Sequence, residues 1–135
     1  MGKLNAQIKE FLSQERLAYV ATSNNEGFPN VVPKGSLGVL NDDQLVFADL
    51  YSQKTKRNLL QNPRVAIAVV NPPAYEGYQF KGVAQIVDSG PVFEKALELV
   101  DSVRMDRTKV KYAVVITIEE VYDLSPGPES GKRIA

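Results

Sequence analysis

Lys54, Lys56 and Arg57 crowd into the segment YSQKTKRNL, where the spacing predicts that they fall in the first turn of a short helix capped by Ser52. A helix N-terminus carries a partial positive charge, so each exposed cation there is unfavourable by about 0.3–1 kcal/mol. A bound anion reverses the sign. Phosphate at that place can accept hydrogen bonds from the unpaired backbone N–H groups, from the hydroxyls of Ser52 and Thr55, and from the Lys54 ammonium. Charge-assisted bonds of this kind contribute about 1.5–3 kcal/mol each, more than a misplaced cation costs. The competing reading is a solvated cationic face on a surface helix, and the segment alone does not separate the two.

A second stretch bears on that choice. VVPKGS sets Pro33 and Gly35 beside Lys34, which breaks the side-chain cover and lets backbone amides and carbonyls approach a flat polar ring. The same pattern also fits an edge strand guarded against aggregation by proline and lysine.

Composition narrows the chemistry further. Histidine and cysteine are both absent, which removes the usual general base, the usual imidazole metal ligand, thiolate zinc sites, disulfides and every Ser-His or Cys-His arrangement. No residue is marked as an acid or base and no metal site is expected, so redox chemistry falls to a cofactor. Lysine plus arginine and aspartate plus glutamate each number 16; no global field draws the molecule to nucleic acid or an anionic membrane, and an anion site has to be local. MGKLNAQIKEFLSQ has no apolar run suited to a signal peptide or a membrane span, so a cytoplasmic address is expected.

The elements that position these residues follow from periodicity. With 135 residues the chain fits one domain. Leu4, Ile8, Phe11 and Leu12 recur at helical spacing and predict an amphipathic helix ending near Ser13. RLAYVAT reads as a strand and SNNEG as the turn behind it. FPNVVPKGSLGVL is extended but broken by proline and glycine, which predicts an irregular, partly edge-like strand. LVFAD reads as a buried strand. The Ser52 helix runs through TKRNLLQN and stops before Pro63. RVAIAVVN reads as a fully buried strand, PPAYEG as a loop, and YQFKGVAQIVD as a strand with a bulge at Gly82. Gly90 and Pro91 open a helix whose apolar stripe is Val92, Phe93, Ala96, Leu97 and Val100. KYAVVITIEEVYDL is the last strand. Residues 1–124 are expected to form the domain and 125–135 a flexible tail, since SPGPESGKRIA has too little apolar surface to order itself. Strands joined mostly by turns exclude a doubly wound parallel sheet and predict a mainly β antiparallel barrel with helices at its ends.

Taken in order, GFPNVVP, LVFADLYSQKTKRNL, QNPRVAIAVV and YQFKGVAQI resemble the FMN-binding split-barrel superfamily related to pyridoxamine 5'-phosphate oxidase, over Phe11 to Leu124. The most specific part is the serine, lysine, asparagine and leucine of SQKTKRNL followed by NPRVA. The resemblance implies a six-stranded antiparallel Greek-key split β-barrel with short flanking helices. It implies FMN, with the phosphate on Ser52, Lys54 and Thr55, and the backbone of Val32, Pro33, Lys34 and Gly35 along the isoalloxazine and ribityl groups. Asp49, Leu50 and Tyr51 would line the same cleft. It also implies a homodimer with the flavin at the subunit interface, where Lys81 and Gln85 reach the partner's flavin.

The chain departs from that pattern in two places. True pyridoxamine phosphate oxidases resemble one another in an arginine-rich carboxy-terminal substrate motif, which SPGPESGKRIA lacks, so vitamin B6 oxidation is not expected. Small relatives place an aromatic residue near the ring just after the second strand, where this chain has PKGSLGVL; stacking is then looser or falls to Tyr51, Tyr75 or Tyr78. Each of these tyrosines also reads as an ordinary strand or loop residue with a wet hydroxyl. Some split barrels hold a deazaflavin or haem, and the missing histidine argues against the usual haem ligation. Two functions stay open. One is an FMN-dependent oxidoreductase acting on a small molecule, with Lys34 placing charge near the N1 and C2 carbonyl edge. The other is an FMN-binding electron carrier or storage protein without a substrate of its own. A barrel binding phosphorylated ligands or nucleic acid without flavin is disfavoured by the even charge balance.

Overall fold

In the computed structural model, which describes residues 2–103 and 106–135, the chain runs through seven strands and three helices. These are α1 (Ala6–Gln14), β1 (Ala18–Ser23), β2 (Pro29–Lys34), β3 (Gly38–Val39), β4 (Gln44–Asp49), α2 (Gln53–Gln61), β5 (Arg64–Asn71), β6 (Glu76–Val87), α3 (Pro91–Ser102) and β7 (Tyr112–Asp123). The strands make one antiparallel sheet in the order β2-β1-β5-β6-β7-β4-β3, curled so that the Lys34 side chain at the end of β2 reaches Asp49 at the end of β4 across a seam. The mainly β split-barrel class expected from the sequence is therefore the one observed, with seven strands where six were expected. The extra one arises because Pro29 to Leu40 does not hold as one strand. At the break Ser36 is buried, accepting from the Ala48 N–H at 3.1 Å, which leaves only the two residues of β3 beyond it.

Burial follows the two-residue period of strands. The interior is filled by Val20, Phe47, Ile67, Phe80, Val114 and Ile116 with Ile8, Phe11 and Leu12 of α1. A second cluster places Ala96, Leu99 and Val100 of α3 against Val46 and Ala48 of β4 and Ala113 and Val115 of β7. Strand β4 is thus buried on both faces. Strand β5, expected to be fully buried, is buried on one: Val65, Ile67 and Val69 point inward while Ala66, Ala68 and Val70 lie outward. The bulge expected at Gly82 is present as a register shift, Lys81 pairing with Glu120 and Gly82 with Ile118, so that Glu119 of β7 is the extra residue. Glycine is required there because a Cβ would stand 2.1 Å from the Thr117 carbonyl oxygen.

The segment after Leu124, expected to be a flexible tail, folds back along β7. The Ile134 N–H donates to the Val121 carbonyl and the Asp123 N–H to the Lys132 carbonyl, both at 2.8 Å, and Arg133 lies 3.6 Å from Glu120. Main-chain hydrogen bonds and an ion pair supply the order that its apolar surface alone would not.

Candidate functional site

Leu45, Phe47 and Asp49 share the interior face of β4, so the alternation that buries two apolar side chains also buries a carboxylate at the end of the row. A fully buried charge persists only when paired and hydrogen-bonded. Asp49 has three donors: the Lys34 ammonium at 3.1 Å and the Ser52 N–H at 2.9 Å on Oδ1, and the Tyr112 hydroxyl at 2.8 Å on Oδ2. Tyr112 is the residue directly opposite it on β7. Burial, and then the hydrogen bond to Asp49, hold the Tyr112 hydroxyl well above the ordinary tyrosine pKa. Lys34 crosses the seam from β2, its side chain only 10% exposed, and also reaches the Ser52 hydroxyl. Asp49 therefore secures the seam from beneath the start of the helix that follows.

The start of α2 sits above this network. The Ser52 hydroxyl accepts from Lys34 and makes no capping bond. The Gln53 N–H donates to the Tyr51 carbonyl at 3.0 Å and the Lys56 N–H to the Ser52 carbonyl at 3.1 Å, whereas the amides of Lys54 and Thr55 find no acceptor among the described residues. Thr55 is wholly buried, and its Oγ1 has no hydrogen-bond partner. A cleft of about 520 Å³ opens here between α2 and β2, with Asn30, Val32, Tyr51, Ser52, Lys54, Thr55 and Arg57 in its walls. A smaller hollow of about 250 Å³ adjoins it, where Leu50 and Lys56 meet Tyr112; the Lys56 ammonium stands 5.1 Å from the centre of that ring.

Of the residues singled out from sequence, Val32, Tyr51, Ser52, Lys54 and Thr55 come together in the larger cleft. Leu50 falls in the neighbouring hollow, Pro33 points outward, and Gly35 lies just past the end of β2. Lys34 contributes an ammonium at the helix start. Tyr78 is a core residue, edge-on to Phe11 with ring centroids 5.2 Å apart, and Tyr75 is an exposed loop residue, so Tyr51 is the tyrosine of the three at the cleft. Lys81 lines a separate hollow of about 340 Å³ with Arg64, Glu119 and Glu120, and Gln85 is exposed on the same strand. Sequence reasoning missed Asn30, and counted Arg57 among the cations of the helix start without giving it a place in the site. The signal for Asn30 was its even spacing from Lys34, which puts both on one face of β2.

Residues 4–125 match the pyridoxamine 5'-phosphate oxidase family. The chain is 36% identical to the uncharacterized protein MJ0282 of Methanocaldococcus jannaschii over an alignment of 135 residues, covering 98% of this chain and 89% of that protein. Among solved structures, HupZ of Group A Streptococcus superposes with a TM-score of 0.80 at 28% identity, over 94% of this chain and 98% of that one. An FMN-binding protein of Syntrophomonas wolfei shares the fold with a TM-score of 0.75 at 15% identity, over 88% and 84% of the two chains. HutZ, a haem storage protein of Vibrio cholerae, shares it with a TM-score of 0.65 at 20% identity, over 91% and 95%. Sheet order, the short helix following β4 and a match that spans both agree: the chain belongs to the pyridoxamine 5'-phosphate oxidase family.

Proposed function

We propose that this protein is an FMN-binding flavoprotein that holds the phosphate at the start of α2 and serves as an FMN-dependent oxidoreductase on a small molecule. Thr55 carries the reading: a wholly buried hydroxyl without a partner, at a helix start whose Lys54 and Thr55 amides are also uncommitted. Leaving a buried polar group unpaired costs about 1–3 kcal/mol. A phosphate oxygen would satisfy it, and the same dianion suits the helix N-terminus and Lys54. Val32 and Tyr51 lie along the rest of the cleft, which we assign to the ribityl and ring. Bound FMN supplies the electron transfer; the chain orients it. The Lys34 ammonium is committed to Asp49 and Ser52, so we assign its charge to the phosphate end in place of the ring edge. The absence of histidine leaves no imidazole for haem.

A second copy is part of this reading. The outward residues of β2, β1 and β5 include Val31, Tyr19, Ala66 and Ala68, with Val31 62% and Tyr19 44% exposed. A contiguous apolar face of that kind marks an interaction surface. Lys81 and Gln85 stand outward on β6, the next strand of the same face, where a homodimer would bring them toward the partner's flavin. No helix among the described residues is long and apolar enough to cross a membrane, and a cytoplasmic address belongs to the proposal.

The visible spectrum of fresh protein tests the cofactor: a flavin spectrum whose chromophore is released by heat as FMN is expected, and colourless protein that ignores added FMN overturns the assignment. Turnover with reduced nicotinamide and a range of acceptors tests the enzyme. Oxidation that stops at one equivalent of flavin would identify an electron carrier instead, a role favoured by the missing arginine-rich substrate motif.

A further inference from the structure

We propose that Asn30 is a second anchor for the ligand's phosphate, its Nδ2 donating to a phosphate oxygen from the β2 wall while Thr55 meets the same group from α2. The ligand's identity rests on the FMN reading above; the anchor itself rests on the cleft.

Asn30, Val32 and Lys34 alternate along β2 with Pro29, Val31 and Pro33, and their register partners on β1 are Thr22, Val20 and Ala18, all buried. Paired residues share a face of the sheet, so the Asn30 row points inward and the proline row outward. At one end of the inward row Lys34 reaches Ser52. At the other, the hydroxyl of Thr22 already accepts from the Asn58 side-chain amide at 3.0 Å. Asn30 Nδ2 is shut off from solvent and makes no hydrogen bond; among the described residues Thr55 Oγ1 is the other buried side-chain atom of which this is true, and both residues wall the same cleft.

For the fold alone an apolar residue would serve better at position 30, since an unpaired buried amide is destabilising. Protection of the edge strand does not explain it either, because the outward prolines provide that. The other groups at the cleft narrow what Asn30 is meant to meet. Lys54, Arg57 and the two uncommitted amides are donors, and no carboxylate stands in its walls. Asp49 is beneath, paired with Lys34. Converging donors of both walls call for a compact anionic acceptor, which is the terminal phosphate of FMN and not its ring.

The test compares the wild-type protein with Asn30→Ala for FMN and for riboflavin, which lacks the phosphate. The substitution should raise the FMN dissociation constant roughly ten- to hundredfold, leave riboflavin binding unchanged, and leave the urea midpoint of the ligand-free protein unchanged or higher. An unchanged FMN constant, or an equal loss for riboflavin, overturns the anchor. A measurement that needs no variant accompanies it: titration of wild-type protein with inorganic phosphate, followed at the Asn30 side-chain amide pair by NMR, should move that pair saturably. If FMN does not bind but phosphate moves the pair, the cofactor reading fails and the anchor stands. If FMN binds and the pair stays still, the anchor fails and the cofactor reading stands.

Discussion

Lys54 and Lys56 are two positions apart on the same helical turn, yet they enter different hollows: Lys54 stands with Thr55 and Asn30, Lys56 over the ring of Tyr112. Lys54→Ala should therefore weaken FMN binding by about 1.5–3 kcal/mol, the range for a hydrogen bond to a charged group, while Lys56→Ala does much less. Isothermal titration distinguishes them, and equal losses would mean that the phosphate lies on the other side of the turn. The Lys34 to Asp49 pair calls for a different measurement. Removing one partner of a buried pair strands the other, at about 3–5 kcal/mol. Lys34→Met should lose stability on that scale in urea melts, and adding Asp49→Asn should recover most of it by removing the stranded charge; no recovery would show that Asp49 is not the group Lys34 compensates. Ser52, Lys54 and Thr55 were legible in the sequence because they are local, adjacent on one helical turn. Lys34 and Asp49 were each read as parts of a cleft, Lys34 with its charge at the ring edge, but not as partners, since their contact spans the seam and no local period encodes that.

Among the elements, the helices and the two long strands were readable because their apolar periods are strong, and Gly82 announced the irregularity between β6 and β7. Strand β5 misled because alanine fills its outward positions: Ala66 and Ala68 between Val65, Ile67 and Val69 look like a continuous buried run. The division of β2 from β3 was hidden for a related reason. A short polar turn at Ser36 is held by the Ala48 amide, a partner 12 residues away. The bulge offers the sharpest test at this scale. A Cβ at position 82 would meet backbone, not a side chain that can rotate away, so Gly82→Ala has to push β6 from β7 in the middle of the sheet. Overpacking in such places costs about 1–3 kcal/mol, and a fall in urea midpoint of that order is expected; an unchanged midpoint would mean that the Thr117 carbonyl yields freely. Helix α2 depends on Leu59, its buried apolar contact with the barrel. Leu59→Ala should cost about 2–5 kcal/mol of stability and weaken FMN binding as well, since the helix start it anchors is the proposed phosphate site.

For the molecule as a whole, two buried tyrosine hydroxyls, Tyr78 in the core and Tyr112 beneath the cleft, set an alkaline limit. The Tyr78 hydroxyl is pushed up to about 12 from an ordinary 10.0, chiefly by burial and then by its hydrogen bond to Glu76, and Tyr112 is raised for the same kinds of reason. Each neutral hydroxyl is favoured in the folded state, so this contribution is complete below pH 10 and is lost as pH rises through the folded values. Urea midpoints should fall between pH 10 and 12, and Tyr78→Phe should flatten part of that fall; an identical slope in the variant would remove Tyr78 from the account. Assembly is the remaining property at this scale. A stable interface takes roughly 800 Å² from each partner, on the order of a tenth of a small protein's surface. The outward face of β2, β1 and β5 offers it in a form hard to explain for a lone subunit: β4 and β7 have their outer faces covered by α3, whereas this half carries Val31 and Tyr19 open to water with alanines between. Tyr19→Asp sets a charge on that face away from the cleft, whose walls include Val31. The wild-type protein should sediment as a dimer and the variant as a folded monomer with the wild-type far-ultraviolet circular dichroism spectrum. If the flavin also lies between subunits, FMN affinity should fall with dissociation, because the contributions of Lys81 and Gln85 from the second copy are lost. A variant that remains dimeric would place the interface elsewhere, and one that becomes monomeric with undiminished FMN affinity would place the whole cofactor site within a single chain.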